Sequence, residues 1–288
     1  MTVVIGVAVA LAAGFAFLVW ISNAWIQVTT YEVWSSRIPP PFDRYCIVQV
    51  ADLHGRRFGT GQERLVRAVR REQPDLIVVT GDLVSAGKAE IASSLELIRR
   101  LEGAVPVYFV VGNHEIHSQN LDDLLVSLAG YAVRVLRNRT EVIERDGQVI
   151  VIGGVDDPLA FGDFPARMGT VNDGWAQALS RIGAEVPRSA FTILLSHRPE
   201  AFTEYVRLGF DLVLSGHTHG GQVRFPILGA LWVPDQGLLP RYVSGRYERG
   251  GTTMIVSRGL GSVPFTLRFL NRPELVVVRL RNRTRRDL

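Results

Sequence analysis

The sequence predicts an α/β chain with a parallel-rich sheet, carried behind one N-terminal transmembrane helix. Three observations predict it. Apolar runs of strand length alternate with helix-patterned stretches between Tyr45 and Val111, the order that builds βαβ units. Five short polar islands each closely follow an apolar run: Asp52-Leu53-His54, Gly81-Asp82, Gly112-Asn113-His114-Glu115, His197 and Gly216-His217-Thr218-His219. Val3 to Ile21 is a stretch of 19 residues without a charge.

That first stretch has the length of a membrane helix, which needs about 20 apolar residues. Trp20, Trp25, Tyr31 and Trp34 lie at its end or beyond it, where aromatic residues gather at a membrane interface. Ser22-Asn23-Ala24 resembles a signal cleavage site. Against cleavage, no basic residue precedes the stretch, and it exceeds the roughly 7–15 apolar residues of a signal peptide. Nothing polar breaks it into the amphipathic face of a buried helix. Residues 1–24 therefore read as an uncleaved, single-pass anchor in the inner (cytoplasmic) membrane. Arg37, Arg44, Arg56 and Arg57 follow it, so the positive-inside tendency favours a cytoplasmic domain. Residues 25–44, with Pro39-Pro40-Pro41, read as a stiff spacer that lifts the domain off the bilayer. Residues 45–288 read as one catalytic domain.

Within it, Tyr45 to Ala51 is the first expected strand. A helix follows over Gln62 to Arg71, with Leu65, Val66 and Val69 on one face, and Pro74 ends it. Leu76 to Thr80 is the next strand, Ala89 to Leu101 the next helix, and Val107 to Val111 the strand before Asn113. The second half is richer in strand. Val149 to Ile152, Phe191 to Leu195, Asp211 to Leu214, Thr252 to Val256 and Leu275 to Leu280 are apolar runs. Pro199 suits the first position of a short helix, where its missing N–H costs nothing.

Composition narrows the class. With 288 residues, 47% hydrophobic and 21% charged, the chain can bury an ample core and carries no disorder signature. Lys88 is the only lysine, so arginine carries nearly all the positive charge behind the net +4. The arginines form no basic stripe with interleaved aromatics, and no nucleic acid is expected as a partner. A single cysteine, Cys46, excludes an intramolecular disulfide.

The islands consist of oxygen and imidazole donors, which hold zinc, manganese, iron or cobalt. A carboxylate has two oxygens, so Asp82 can bridge two cations. Two metals about 3.5–4 Å apart clamp the attacking and leaving oxygens of a phosphoryl displacement. Asp52 and His54 alternate along an extended strand end and so point to one side; His217 and His219 share that spacing. Asn113 offers a carbonyl oxygen and His197 another imidazole. His114 adjoins a proposed ligand and diverges from it, free to face a phosphate and protonate a leaving group. Gly81, Gly112 and Gly216 let the backbone turn where a Cβ would clash. A lone aspartate at a strand end is usually a cap, and a lone buried histidine usually a satisfied core residue. That bland account must be repeated at five islands in one order. His117 falls outside the pattern.

As an ordered set the islands resemble the calcineurin-like metallophosphoesterase superfamily, over nearly all of the chain after the proline segment. The resemblance implies a four-layer αββα sandwich, two β-sheets flanked by helices, with a binuclear metal site at strand ends. It implies that Asp52, His54 and His219 hold one metal, that Asn113, His197 and His217 hold the second, and that Asp82 bridges. It implies that His114 is the non-ligand catalytic histidine, and that a metal-bridging hydroxide is the nucleophile. The cofactors would be two divalent ions among manganese, zinc, iron and cobalt.

Ser85 and Ala86 stand where protein Ser/Thr phosphatases of this superfamily carry an acidic residue and an arginine before the glycine, which counts against phosphoprotein substrates. Gly216 to Gln222 and Ser257-Arg258-Gly259-Leu260-Gly261 resemble a bacterial branch with N-terminal anchors. Some of its members cleave the lipid A precursor UDP-diacylglucosamine at its pyrophosphate. The expectation is thus a membrane-anchored phosphohydrolase of a lipid-linked phosphodiester or pyrophosphate. A phosphodiesterase for soluble nucleotides or cell-wall phosphoesters is the alternative, and a non-catalytic module on a hydrolase scaffold the third. Arg56 is the expected phosphate contact. Leu260 to Leu270, with Arg258, Arg268 and Arg272 nearby, reads either as a membrane-resting patch or as a core strand.

Overall fold

The computed structural model describes residues 2–283 apart from 86, 104, 163–171, 222, 226–228, 231, 234–235, 239 and 263–267. The first half runs α1 (Thr2–Ala24), β1 (Gln27–Ser35), β2 (Cys46–Val50), α2 (Glu63–Arg71), β3 (Leu76–Thr80), α3 (Lys88–Leu101), β4 (Val107–Val110), α4 (Asn113–His117), α5 (Leu121–Gly130) and β5 (Arg134–Val135). The second half runs β6 (Arg139–Arg145), β7 (Gln148–Val155), α6 (Asp173–Glu185), β8 (Phe191–Ser196), α7 (Phe202–Leu208) and β9 (Leu212–Ser215). Four two-residue strands follow: β10 (Arg224–Phe225), β11 (Gly229–Ala230), β12 (Trp232–Val233) and β13 (Gly237–Leu238). The chain closes with β14 (Gly245–Arg249), β15 (Thr252–Val256) and β16 (Glu274–Asn282).

Two six-stranded sheets form, ordered β1-β16-β2-β3-β4-β5 and β14-β15-β9-β8-β7-β6. In the first, β2 through β5 are parallel; in the second, β7, β8, β9 and β15 are. Alternation along the strands splits the core into three. Ile47, Val78 and Tyr108 of the first sheet face Ile152, Ile193 and Leu214 of the second. Val48, Val79 and Phe109 face the other way, onto Leu65, Leu97 and Leu124 of α2, α3 and α5. Leu194, Val213 and Met254 pack on Trp175 and Leu179 of α6 and Phe202 and Tyr205 of α7. Helices, sheet, sheet and helices make four layers. Gln49 crosses the apolar middle, donating to Thr80 Oγ1 and to Ser215 O, each at 2.9 Å, and so ties β2, β3 and β9 together near the ends that carry the islands.

The expected spacer folds differently. Residues 27–35 form β1, parallel to β16 from Gln27↔Glu274 to Ser35↔Asn282. Tyr31 and Trp34, read as part of an interface belt, are strand formers like the β-branched Val28, Thr29, Thr30 and Val33 around them, and an unpaired edge of β16 was there to receive them. The prolines make a short turn at Pro40–Phe42, which buries Phe42 and Ile38 between the sheets. The linking segment is therefore part of the domain. In the 260–270 patch, Val263, Phe265 and Leu267 lie outside the described residues, and Arg268 is buried, not surface-edging. Arg279 and Arg281 of β16 pair with Glu72 and Glu32.

Candidate metal centre

Parallel strands deliver their C-terminal ends to one edge, the place where open α/β sheets bind ligands. β2 leads into Asp52 and His54, β3 into Asp82, β4 into Asn113 and His114, β8 into His197, and β9 into His217 and His219. The backbone there is not extended. Asp52, His54, Asp82, His217 and His219 all have φ between 48° and 73°, in the left-handed region. Such residues cost of order 1 kcal/mol or more each and persist only where the surroundings hold them. Asp52 and His54 thus converge through a turn, not through strand alternation. Asn113 and His114 likewise begin a helix, α4, and diverge by helical rotation. Gly81 has φ 87°, and a Cβ there would lie 2.6 Å from His197 Nδ1. A Cβ on Gly112 would overlap Asp82 Oδ1.

The side chains meet in two groups. Ligand atoms of Asp52, His54, Asp82 and His219 lie within 4.8 Å of one another, and so do those of Asp82, His197 and His217. Asp82 belongs to both. Asn113 Oδ1 is 3.0 Å from His197 Nε2 and 3.1 Å from His217 Nδ1. The outward nitrogens are fixed: His197 Nδ1 bonds Thr80 O at 2.8 Å, and His54 Nδ1 bonds Ser85 Oγ at 2.8 Å. These partners aim the remaining ring nitrogens inward, as supporting groups do around metal-ligating histidines.

The donors fit a divalent cation. Asp52 Oδ2 is buried without a hydrogen-bond partner. His54 Nε2 and His219 Nε2 face each other at 3.1 Å. Burial pushes His54 down to about 4, and burial together with His54 holds His219 well below its ordinary value. Two imidazoles pushed toward their neutral form therefore face each other across one point. Burial raises Asp52 to about 7. Asp82 is equally buried, yet His197, His54 and His114 hold it well below the carboxylate range. Against its own burial, His197 is raised to about 10 by Asp82. A divalent cation held by these residues would take the place of that proton.

His114 stands beside this set, its half-buried ring edge-on to His54 at 4.7 Å, and its backbone N–H donates to Asp82 Oδ1 at 2.9 Å. His117 is exposed. Arg56 goes elsewhere. Its guanidinium donates to Asn23 O at the end of α1 and to Leu260 O, and it lies 5.3 Å over the ring of Phe58. The last carbonyls of a helix lack intrahelical donors, so a nearby arginine is drawn to them.

Three supporting residues were given no part in the metal site by the sequence reading. Glu115 accepts the backbone N–H groups of Asp82, Val84 and Gly112. Arg198, clamped by Asp157 at 2.5 Å, donates to His217 Nε2 at 2.8 Å. Arg268 places Nη2 3.5 Å from His219 Nδ1. Glu115 lies within a motif and Arg198 adjoins one, which was the only signal; Arg268 was read beside an apolar patch, and nothing local tied it to the site.

Residues 46–221 match the profile of the calcineurin-like phosphoesterase family. The uncharacterized metallophosphoesterase YkuE of Bacillus subtilis is 31% identical over 93% of this chain and 90% of its own length. A bovine transmembrane protein with a metallophosphoesterase domain is also 31% identical, over 86% of this chain and 55% of its own length. The phosphodiesterase YaeI of Escherichia coli is 25% identical over 94% of both chains. With the Asp/His cluster at its strand ends, this chain belongs to the calcineurin-like phosphoesterase family and is a metal-dependent phosphoesterase.

Proposed function

We propose that the chain is a membrane-anchored, two-metal phosphohydrolase that cleaves a phosphodiester or pyrophosphate of a lipid-linked substrate, such as UDP-diacylglucosamine. The observation that carries this reading is the closeness of the cluster to α1. Arg268 lies against His219 with its guanidinium, while its backbone is held by Asn23 of α1. α1 is long and apolar enough to cross a membrane, and no residue of its apolar window is buried in the domain. A substrate in the bilayer would meet the cluster where the helix emerges. The arginines on the helix's domain end favour a cytoplasmic domain in the inner membrane.

In this reading Asp52, His54 and His219 would hold one cation, Asn113, His197 and His217 the other, and Asp82 both. The bound ions would activate water and neutralise charge on the phosphoryl oxygens. His114 faces the leaving group and donates its proton. Burial and the neighbouring histidines hold its imidazole below the ordinary value, so an anionic phosphoryl group must arrive to favour the protonated form.

The test is UMP release from UDP-diacylglucosamine in mixed micelles by full-length protein with manganese, beside an aryl phosphodiester and the His114→Ala variant. Manganese-dependent UMP release that disappears in the variant is the expected result. Cleavage of the aryl diester alone would sink the lipid substrate and favour the alternative, a phosphodiesterase for soluble or cell-wall phosphoesters. The name of the Escherichia coli relative, a phosphodiesterase, supports that alternative.

A further inference from the structure

α1 does not end free of the domain. Ser22 Oγ accepts the N–H of Leu270 at 3.0 Å. The Asn23 amide pairs with both backbone groups of Arg268, at 2.9 and 3.3 Å. Higher on the helix, the rings of Phe15 and Phe269 lie 5.4 Å apart. Phe15 precedes Ala24 by nine residues, roughly 13 Å along the axis. A hydrocarbon core of about 30 Å takes about 20 residues, and the apolar span Val3–Ala24 has little to spare. When α1 crosses a bilayer, Phe269 therefore lies inside one leaflet.

More of the domain follows Phe269 to that depth. Val223 bridges to Phe269, and the N–H of Arg224 donates to Phe269 O at 3.0 Å. Alternation along this strand puts Val223 and Phe225 on one side, while Arg224 turns away to Ser244. Val223, Phe225 and Leu270 are 41%, 42% and 38% exposed, more than apolar side chains need be in a packed domain. Four backbone groups of residues 268–270 are paired: both of Arg268, the carbonyl of Phe269 and the N–H of Leu270. Irregular backbone is tolerated at membrane depth only with such partners.

We propose that Val223, Phe225, Phe269 and Leu270 form a second membrane contact, inserted into a phospholipid leaflet beside α1. His219 is four residues before Val223, so the insertion sets the metal centre at the depth of the lipid headgroups. The proposal rests on the anchored reading above and deepens it.

The experiment uses full-length protein in vesicles of phosphatidylethanolamine and phosphatidylglycerol. Single cysteines at Phe225→Cys, Phe17→Cys on α1 and Val126→Cys on α5 carry an environment-sensitive fluorophore; Cys46 is buried and stays unlabelled. Hydrolysis of an aryl phosphodiester in detergent verifies that each variant is folded. Lipids brominated on their acyl chains should quench the probes at 17 and 225 at least threefold more than the probe at 126. Quenching at 17 with none at 225 would overturn the insertion and leave the anchor standing. No quenching at either would overturn both. Quenching at 225 without hydrolysis of any vesicle-embedded phosphoester would support the insertion and reject the lipid substrate.

Discussion

Glu115 Oε2 accepts the backbone N–H of Asp82 at 2.8 Å and that of Gly112 at 2.9 Å, so one buried carboxylate joins the end of β3 to the start of α4. Its other oxygen takes the N–H of Val84 at 3.0 Å. A Glu115→Gln variant keeps the shape but sets an amide donor against at least one buried N–H. The expected loss is about 1–3 kcal/mol of stability, read by urea denaturation of the metal-free protein. A loss below about 0.3 kcal/mol would show that the loops hold Asp82 unaided.

Asp82 belongs to both ligand groups, so its replacement should act on both. Asp82→Asn is expected to lower bound metal at two positions and to reduce kcat on an aryl phosphodiester by more than about 10³-fold. His219→Ala, which touches one group, should remove about half the metal. Metal content by atomic emission, after chelation and reloading, separates the two. Equal loss in both variants would argue against a shared ligand.

The buried His54 gives the metal-free protein a pH dependence of known sign. Its folded pKa, about 4, lies below its ordinary value of 6.5, so between the two the unfolded chain binds more protons. The contribution is present above pH 6.5 and is lost as pH falls toward 4. It amounts to roughly 3 kcal/mol, because burial is nearly complete. The check is the difference in stability between wild type and His54→Gln at a series of pH values. A flat difference would place water beside the imidazole.

Arg56 bonds the carbonyl end of α1 and should matter for stability, not for substrate. Arg56→Ala is expected to lower the thermal midpoint in detergent by a few degrees, from about 1 kcal/mol of lost capping, with KM for the aryl diester unchanged. A KM raised more than threefold at an unchanged midpoint would return Arg56 to the phosphate.

The sequence by itself determined the alternation of strands and helices, the apolar helix and the donor islands. Each of these is local: a period of two or 3.6 residues, or a residue type able to bind a cation. It also determined the family, because the islands keep their order along the chain. Only the tertiary structure decided how the ligands converge. At Asp52, His54, Asp82, His217 and His219 the backbone is left-handed, a conformation that residue type does not announce and that neighbours enforce. Tertiary contact also made 27–35 an edge strand, because β16, nearly 250 residues later, offered an unpaired side. It drew Arg56 to the carbonyls of α1, and it brought Arg268 from the far end of the chain to both His219 and Asn23. Those partners lie far apart in sequence, and no local pattern records which distant group a buried cation will find.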